Sequence, residues 1–84
     1  MEPENILKVS IVEDDAEILN LLTMIIDKSA GYSCKHTYSD CESAIKKMPL
    51  HRPDVVLMDI ILPQMSGIEG VKKLKPLLPD TDFI

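Results

Sequence analysis

Pro53-Asp54-Val55-Val56-Leu57-Met58-Asp59-Ile60-Ile61-Leu62-Pro63 is the stretch on which the fold turns. From Val55 to Met58 no polar residue alternates with the apolar ones, so the run predicts a strand covered on both faces, as at the centre of a parallel sheet. It ends on a carboxylate, Asp59. In open α/β folds the C-terminal ends of the strands border the crevice where ligands are held, which makes Asp59 the first candidate for chemistry. A simpler role is open to the same residue, because an Asp at a turn commonly accepts hydrogen bonds from the N–H groups of its own loop.

Working outward, Ile6 to Val12 is a β-branched-rich run of strand length, and Glu13-Asp14-Asp15 follows it, so a second strand also ends in acid. Ile18, Leu21, Leu22, Ile25 and Ile26 then recur at helical spacing and predict a buried stripe on a helix capped by Asp15 and stopped near Gly31. Tyr32 to His36 alternates polar and apolar residues, as a half-exposed edge strand does. Ser39-x-x-Glu42 has the form of a capping box, opening a short helix with Cys41, Ala44, Ile45 and Met48 inward, and Pro49 is expected to stop it.

On the C-terminal side, Ser66-Gly67-Ile68-Glu69 is a second capping box, with Ile68, Val71 and Leu74 as the expected buried stripe of a third helix. Lys72, Lys73 and Lys75 gather in its last turns, where cations suit the helix dipole; they read as a solvated face and not as a nucleic-acid contact. Pro76 ends that helix, and Thr81 to Ile84 predicts the opening of a fourth strand. The order β-α-β-α-β-α-β defines an α/β fold on a doubly wound parallel sheet. Residues 1–5 read as a polar lead-in and 6–84 as one domain.

Composition narrows the function classes. The 84 residues carry a net charge of −5, which argues against binding phosphate backbones or anionic membrane through bulk charge. Two cysteines, Cys34 and Cys41, make no disulfide framework, and no Cys/His spacing fits a zinc site. The opening residues lack the basic start and apolar run of a signal peptide, and no apolar run spans a bilayer, so the expected location is cytoplasmic. No Gly-x-x-x-x-Gly-Lys loop is present to cradle a nucleotide. His36 and His51 fall on the expected edge strand and on a loop, and read as solvated surface residues.

The two acid-tipped strands become informative together. Right-handed β-α-β crossovers place the C-terminal ends of the first and third strands on one edge of the sheet, where Glu13, Asp14 and Asp59 would meet. Carboxylates so crowded repel one another unless one is protonated or a cation joins them. An all-oxygen donor set of this kind suits Mg²⁺, and a strand-tip carboxylate beside a cation suits phosphoryl transfer.

Val12-Glu13-Asp14-Asp15, Pro53 to Asp59, and Leu62-Pro63-Gln64-Met65-Ser66-Gly67 together resemble the receiver domain of bacterial two-component response regulators, over about Ile6 to Ile84. The run Met65 to Lys75 is most similar to receivers that precede a helix-turn-helix output of the LuxR/NarL type. The resemblance implies a flavodoxin-like fold and a signalling role, not an enzyme. Asp59 would be the phosphoacceptor, charged by a sensor histidine kinase. Glu13 and Asp14 would be the acidic pair that holds Mg²⁺ with Asp59 and the backbone carbonyl of Ile61.

Two departures accompany the resemblance. Gln64 stands where glycine is frequent, and the receiver order 2-1-3-4-5 is followed only into strand four, so 6–84 reads as the N-terminal portion of the domain. The Ser/Thr and Lys that work with the phosphoryl group in the family lie beyond that point. An uncovered strand-four edge would invite self-association or exchange of elements between copies. Two other readings compete: a receiver-like interaction module without switching, and a Mg²⁺-dependent phosphohydrolase. The latter usually carries a second acid two residues past its nucleophile, where this chain has Ile61.

Overall fold

The computed structural model describes residues 6–84; the lead-in assigned to residues 1–5 lies outside them. Strands β1 (Leu7–Val12), β2 (Tyr32–Tyr38), β3 (Val55–Met58) and β4 (Asp82–Phe83) alternate with helices α1 (Ala16–Lys28), α2 (Cys41–His51) and α3 (Gly67–Leu74). All strand pairs are parallel and the sheet order is β2-β1-β3-β4. This is the flavodoxin-like arrangement expected from the sequence, with β2 at the edge.

The sheet has a cluster on each face. On one, Val12, Tyr38 and Val56 pack with Cys41, Ala44 and Met48 of α2 and with Leu74 of α3. On the other, Val9, Ile11 and Cys34 pack with Leu19, Leu22 and Ile26 of α1. The cysteines are free, buried and on opposite faces, and burial pushes both thiols up in pKa. β4 is short but tethered: the Thr81 hydroxyl donates to the Pro53 carbonyl at 2.7 Å, and Lys75 Nζ donates to the Thr81 carbonyl at 2.6 Å.

Several sequence expectations need correction. The most buried strand is β1, not β3, of which only Val56 is fully buried. The reason lies in α1, which sits over β1 and β2 and covers the β3 side incompletely. No residue of α1 is fully buried, and Ile18, Leu21 and Ile25 of its predicted stripe face outward, at 46%, 57% and 53% exposure. Leu22 and Ile26 of the stripe do make the contact, joined by Leu19, which the stripe left out.

Pro49 does not stop α2, which continues to His51 and closes on Arg52 in the left-handed conformation, its N–H donating to the Met48 carbonyl at 3.0 Å. A proline in the last turn removes one hydrogen bond without forcing the chain out of the helix at that point. The cap of α2 is Asp40, accepting from the Ser43 N–H at 2.7 Å, and not Ser39. In α3, Ile68 is exposed while Gly67, Gly70 and Leu74 are buried. The glycines let this helix lie close: a Cβ on Gly70 would meet Cys41 Sγ at 2.5 Å.

Candidate functional site

The site is assembled by backbone hydrogen bonds before any side chain is considered. Beyond the last paired residues of β1, β2 and β3, the Glu13 N–H donates to the Tyr38 carbonyl at 2.9 Å, and the Asp59 N–H to the Val12 carbonyl at 3.1 Å. The tips of three strands are thereby laced together, and the acids that follow β1 stand beside the acid that follows β3. Glu13, Asp14 and Asp59 each offer a carboxylate oxygen, all within 4.8 Å of one another. Glu13 and Asp59 are half-buried and Asp14 is exposed.

The surrounding bonds orient these groups. Glu13 Oε2 accepts from the Asp15 N–H at 3.0 Å, and Asp15 Oδ1 caps α1 by accepting from the N–H groups of Glu17 and Ile18. Asp59 Oδ1 accepts from the Ile61 N–H at 3.2 Å, the turn role open to it from sequence. One oxygen so engaged leaves the other for a ligand. The loop after Asp59 is pinned by the Gly67 N–H, which donates to the Ile60 carbonyl at 2.8 Å, and by the Ser66 hydroxyl, which caps α3 through the Glu69 N–H as the sequence predicted.

The electrostatics follow from the crowding. The bond from the Asp15 N–H lowers the Glu13 pKa, but partial burial, the charges of Asp59 and Asp14 and a hydrogen bond shared with Asp59 together outweigh it, and the net shift is upward. Burial is the largest of the raising causes, and the neighbouring carboxylates add to it. The three carboxylates are hard oxygen donors with no thiolate or imidazole among them, and this donor set fits Mg²⁺.

Two residues of the site were passed over in the sequence. Gly67 reads there as the second position of a capping box and the end of a receiver-like loop, yet a Cβ on it would clash with the Asp59 carbonyl oxygen. Gln64 reads as a minor difference, yet it holds a positive φ of 66°, the region that favours glycine. The sequence signals are the turn-rich composition of Pro63 to Gly67 and, for Gln64, its place where glycine is frequent in the receivers the chain resembles.

A parallel, flavodoxin-like α/β sheet with three acids gathered at one lip narrows the class of domain. Within it, residues 9–84 match the family model for the response regulator receiver domain, and the chain belongs to that family. It is 38% identical over 68 residues to the alkaline phosphatase synthesis transcriptional regulatory protein PhoP of Bacillus subtilis, covering 81% of this chain and 28% of that one. The response regulator domain of Thermotoga maritima CheB superposes with a TM-score of 0.85 at 29% identity, covering 93% of this chain and 57% of that one. CheY in a CheX-CheY-BeF3-Mg²⁺ complex from Borrelia burgdorferi superposes with a TM-score of 0.82 at 27% identity, covering 99% of this chain and 68% of that one. The chain thus spans well under half the length of the B. subtilis regulator. Among the described residues no helix is long and apolar enough to cross a membrane.

Proposed function

We propose that Asp59 is the phosphoacceptor of a phosphorylation-dependent signalling domain, charged by the phosphohistidine of a sensor kinase in the cytoplasm. A carboxylate oxygen of Asp59 attacks phosphorus, the P–N bond to the donor imidazole breaks, and the imidazole leaves neutral on taking a proton. Glu13 and Asp14 hold Mg²⁺ with Asp59 and the backbone carbonyl of Ile61; the cation, when bound, offsets charge on the phosphoryl oxygens. The observation that carries this reading is the gathering of three carboxylates within 4.8 Å at the lip of the sheet. The Borrelia CheY complex, which includes Mg²⁺ and BeF3, supports the same assignment.

An output domain that regulates transcription belongs to the proposal. The B. subtilis relative is a transcriptional regulator and the Thermotoga neighbour a CheB, so the LuxR/NarL type rests on the Met65 to Lys75 run alone. The test is incubation with Mg²⁺ and a small acyl-phosphate donor. Label that survives acid, is lost in base and requires Mg²⁺ is expected, absent in Asp59→Asn and retained in Asp15→Asn, whose side chain only caps α1. Equal labelling of Asp59→Asn would remove the assignment, and absence of Mg²⁺-dependent label on the wild type would leave a non-switching interaction module.

A further inference from the structure

A second charged feature lies away from the acidic lip, between β2 and α2. The register of β1 on β2 shifts between Val9 and Ser10, so that Val9 faces Cys34 while Ser10 faces His36, and Lys35 is the extra residue of a bulge. The bulge changes which way the strand presents its side chains. Cys34 packs with the α1 cluster, whereas Tyr38 packs with α2 and His36 meets α2 through His51. Regular alternation would have kept Cys34, His36 and Tyr38 on one face. The rings of His36 and His51 stack with centroids 3.5 Å apart and planes 8° from parallel, and the Tyr38 hydroxyl is hydrogen-bonded to His51 Nδ1. His36 is exposed, as expected of a surface residue, while His51 is half-buried, and their stack joins the edge strand to the last turn of α2.

Beside the stack lies a groove of about 460 Å³ whose lining includes Lys35, Lys47, Ser39, Ser43 and both histidines, and no carboxylate. In a chain of net charge −5, a concavity lined only by cationic, imidazole and hydroxyl groups is a local reversal of sign. Two acids adjoin the lining in sequence: Asp40 is occupied in capping α2 through the Ser43 N–H, and Glu42, in the first turn of α2, is exposed and does not line the groove. We propose that this groove binds a small oligophosphate anion, with Lys35 and Lys47 as the cationic arms, the Ser39 and Ser43 hydroxyls as donors and the His36–His51 pair as its floor. Lysine ammonium and hydroxyl donors suit phosphate oxygens, and the volume is that of a small-molecule site.

The charges around the stack make the binding report itself. Partial loss of water around the ring, then the charges of His51, Lys35 and Lys8, lower the His36 pKa. The groups packed around His36 are Lys8 from β1, Lys35 and Tyr38 from β2, and His51 and Lys47 from α2, none of them an acid. A bound polyanion supplies the missing counter-charge and raises that pKa, so affinity must rise as pH falls from 7.5 to 6.

The test is titration of the protein with inorganic triphosphate, without Mg²⁺, followed through the histidine ring signals by ¹H–¹³C spectroscopy. Saturable shifts of the His36 and His51 signals are expected, with a higher His36 pKa in the complex and at least tenfold weaker binding of orthophosphate. The Lys35→Ala/Lys47→Ala variant should lose at least tenfold in triphosphate affinity with unchanged circular dichroism and unchanged Asp59 labelling. Absence of shifts, equal shifts in that variant, or saturation by an oligoglutamate peptide in place of triphosphate would each overturn the proposal. The readout is independent of the acidic lip, so it stands or falls apart from the phosphoacceptor assignment.

Discussion

Single residues at the loop after β3 set how the acidic lip is held. Gln64 occupies a left-handed conformation at φ 66°, which costs a side chain with a Cβ about 1 kcal/mol, so Gln64→Gly should stabilise the fold by about 0.5–1 kcal/mol in urea melts. Gly67 is the converse. Its missing Cβ leaves room for the Asp59 carbonyl, and Gly67→Ala must push that backbone aside, costing more than about 2 kcal/mol and slowing acyl-phosphate labelling. At the carboxylates themselves, mutual repulsion predicts that Asp14→Asn raises the melting temperature in the absence of divalent cation. Wild-type protein should melt higher with millimolar Mg²⁺, and Asp14→Asn should lose most of that gain. A Mg²⁺ effect of equal size in both proteins would remove Asp14 from the cation site.

At the scale of elements, helix α1 shows how far a hydrophobic stripe can mislead. Its apolar residues extend over a wide arc, and only Leu19, Leu22 and Ile26 reach the sheet. Leu22→Ala should cost about 2 kcal/mol, whereas Leu21→Ala, at a residue 57% exposed, should fall within about 0.5 kcal/mol of wild type. Chemical denaturation of the two variants separates the periodicity-based stripe from the observed contact. Helix α3 reaches its place through small residues: Gly67 and Gly70 are buried where Ile68 was expected. Hydrophobic periodicity weighs what a helix buries but is blind to a face whose value is the absence of a side chain.

For the whole molecule, surface and pH behaviour follow from what the sheet leaves uncovered. The outer edge of β4 pairs with no strand among the described residues, and Ile84 beside it is 76% exposed. The isolated 84-residue chain should therefore self-associate, its apparent mass rising with concentration in sedimentation, and Ile84→Lys should shift it toward monomer. A concentration-independent monomer would show that the edge is not used. The histidine stack adds a pH-dependent contribution to stability. His36 has a folded pKa below its ordinary 6.5, so the fold binds fewer protons than the unfolded chain, and stability is fully present above that value and lost as pH falls below it. Glu13, raised from 4.5, works in the opposite direction at lower pH, where its protonation favours the fold. Urea midpoints should drop between pH 7.5 and 5.5, and His36→Gln should flatten that drop.

The order of elements, the parallel sheet and the two acid-tipped strands were legible in the sequence, because apolar run length and helical spacing mark where each element lies even where its exact cap or buried face differs. Even the meeting of Glu13, Asp14 and Asp59 could be anticipated, since crossover handedness leaves strands β1 and β3 few ways to lie. Only the tertiary structure decided which half of each apolar stripe is buried, that Gly67 and Gly70 face inward, and that a bulge at Lys35 turns His36 onto α2. Those features depend on distances between segments remote in the chain, and a one-residue shift in strand register leaves no mark on composition or periodicity.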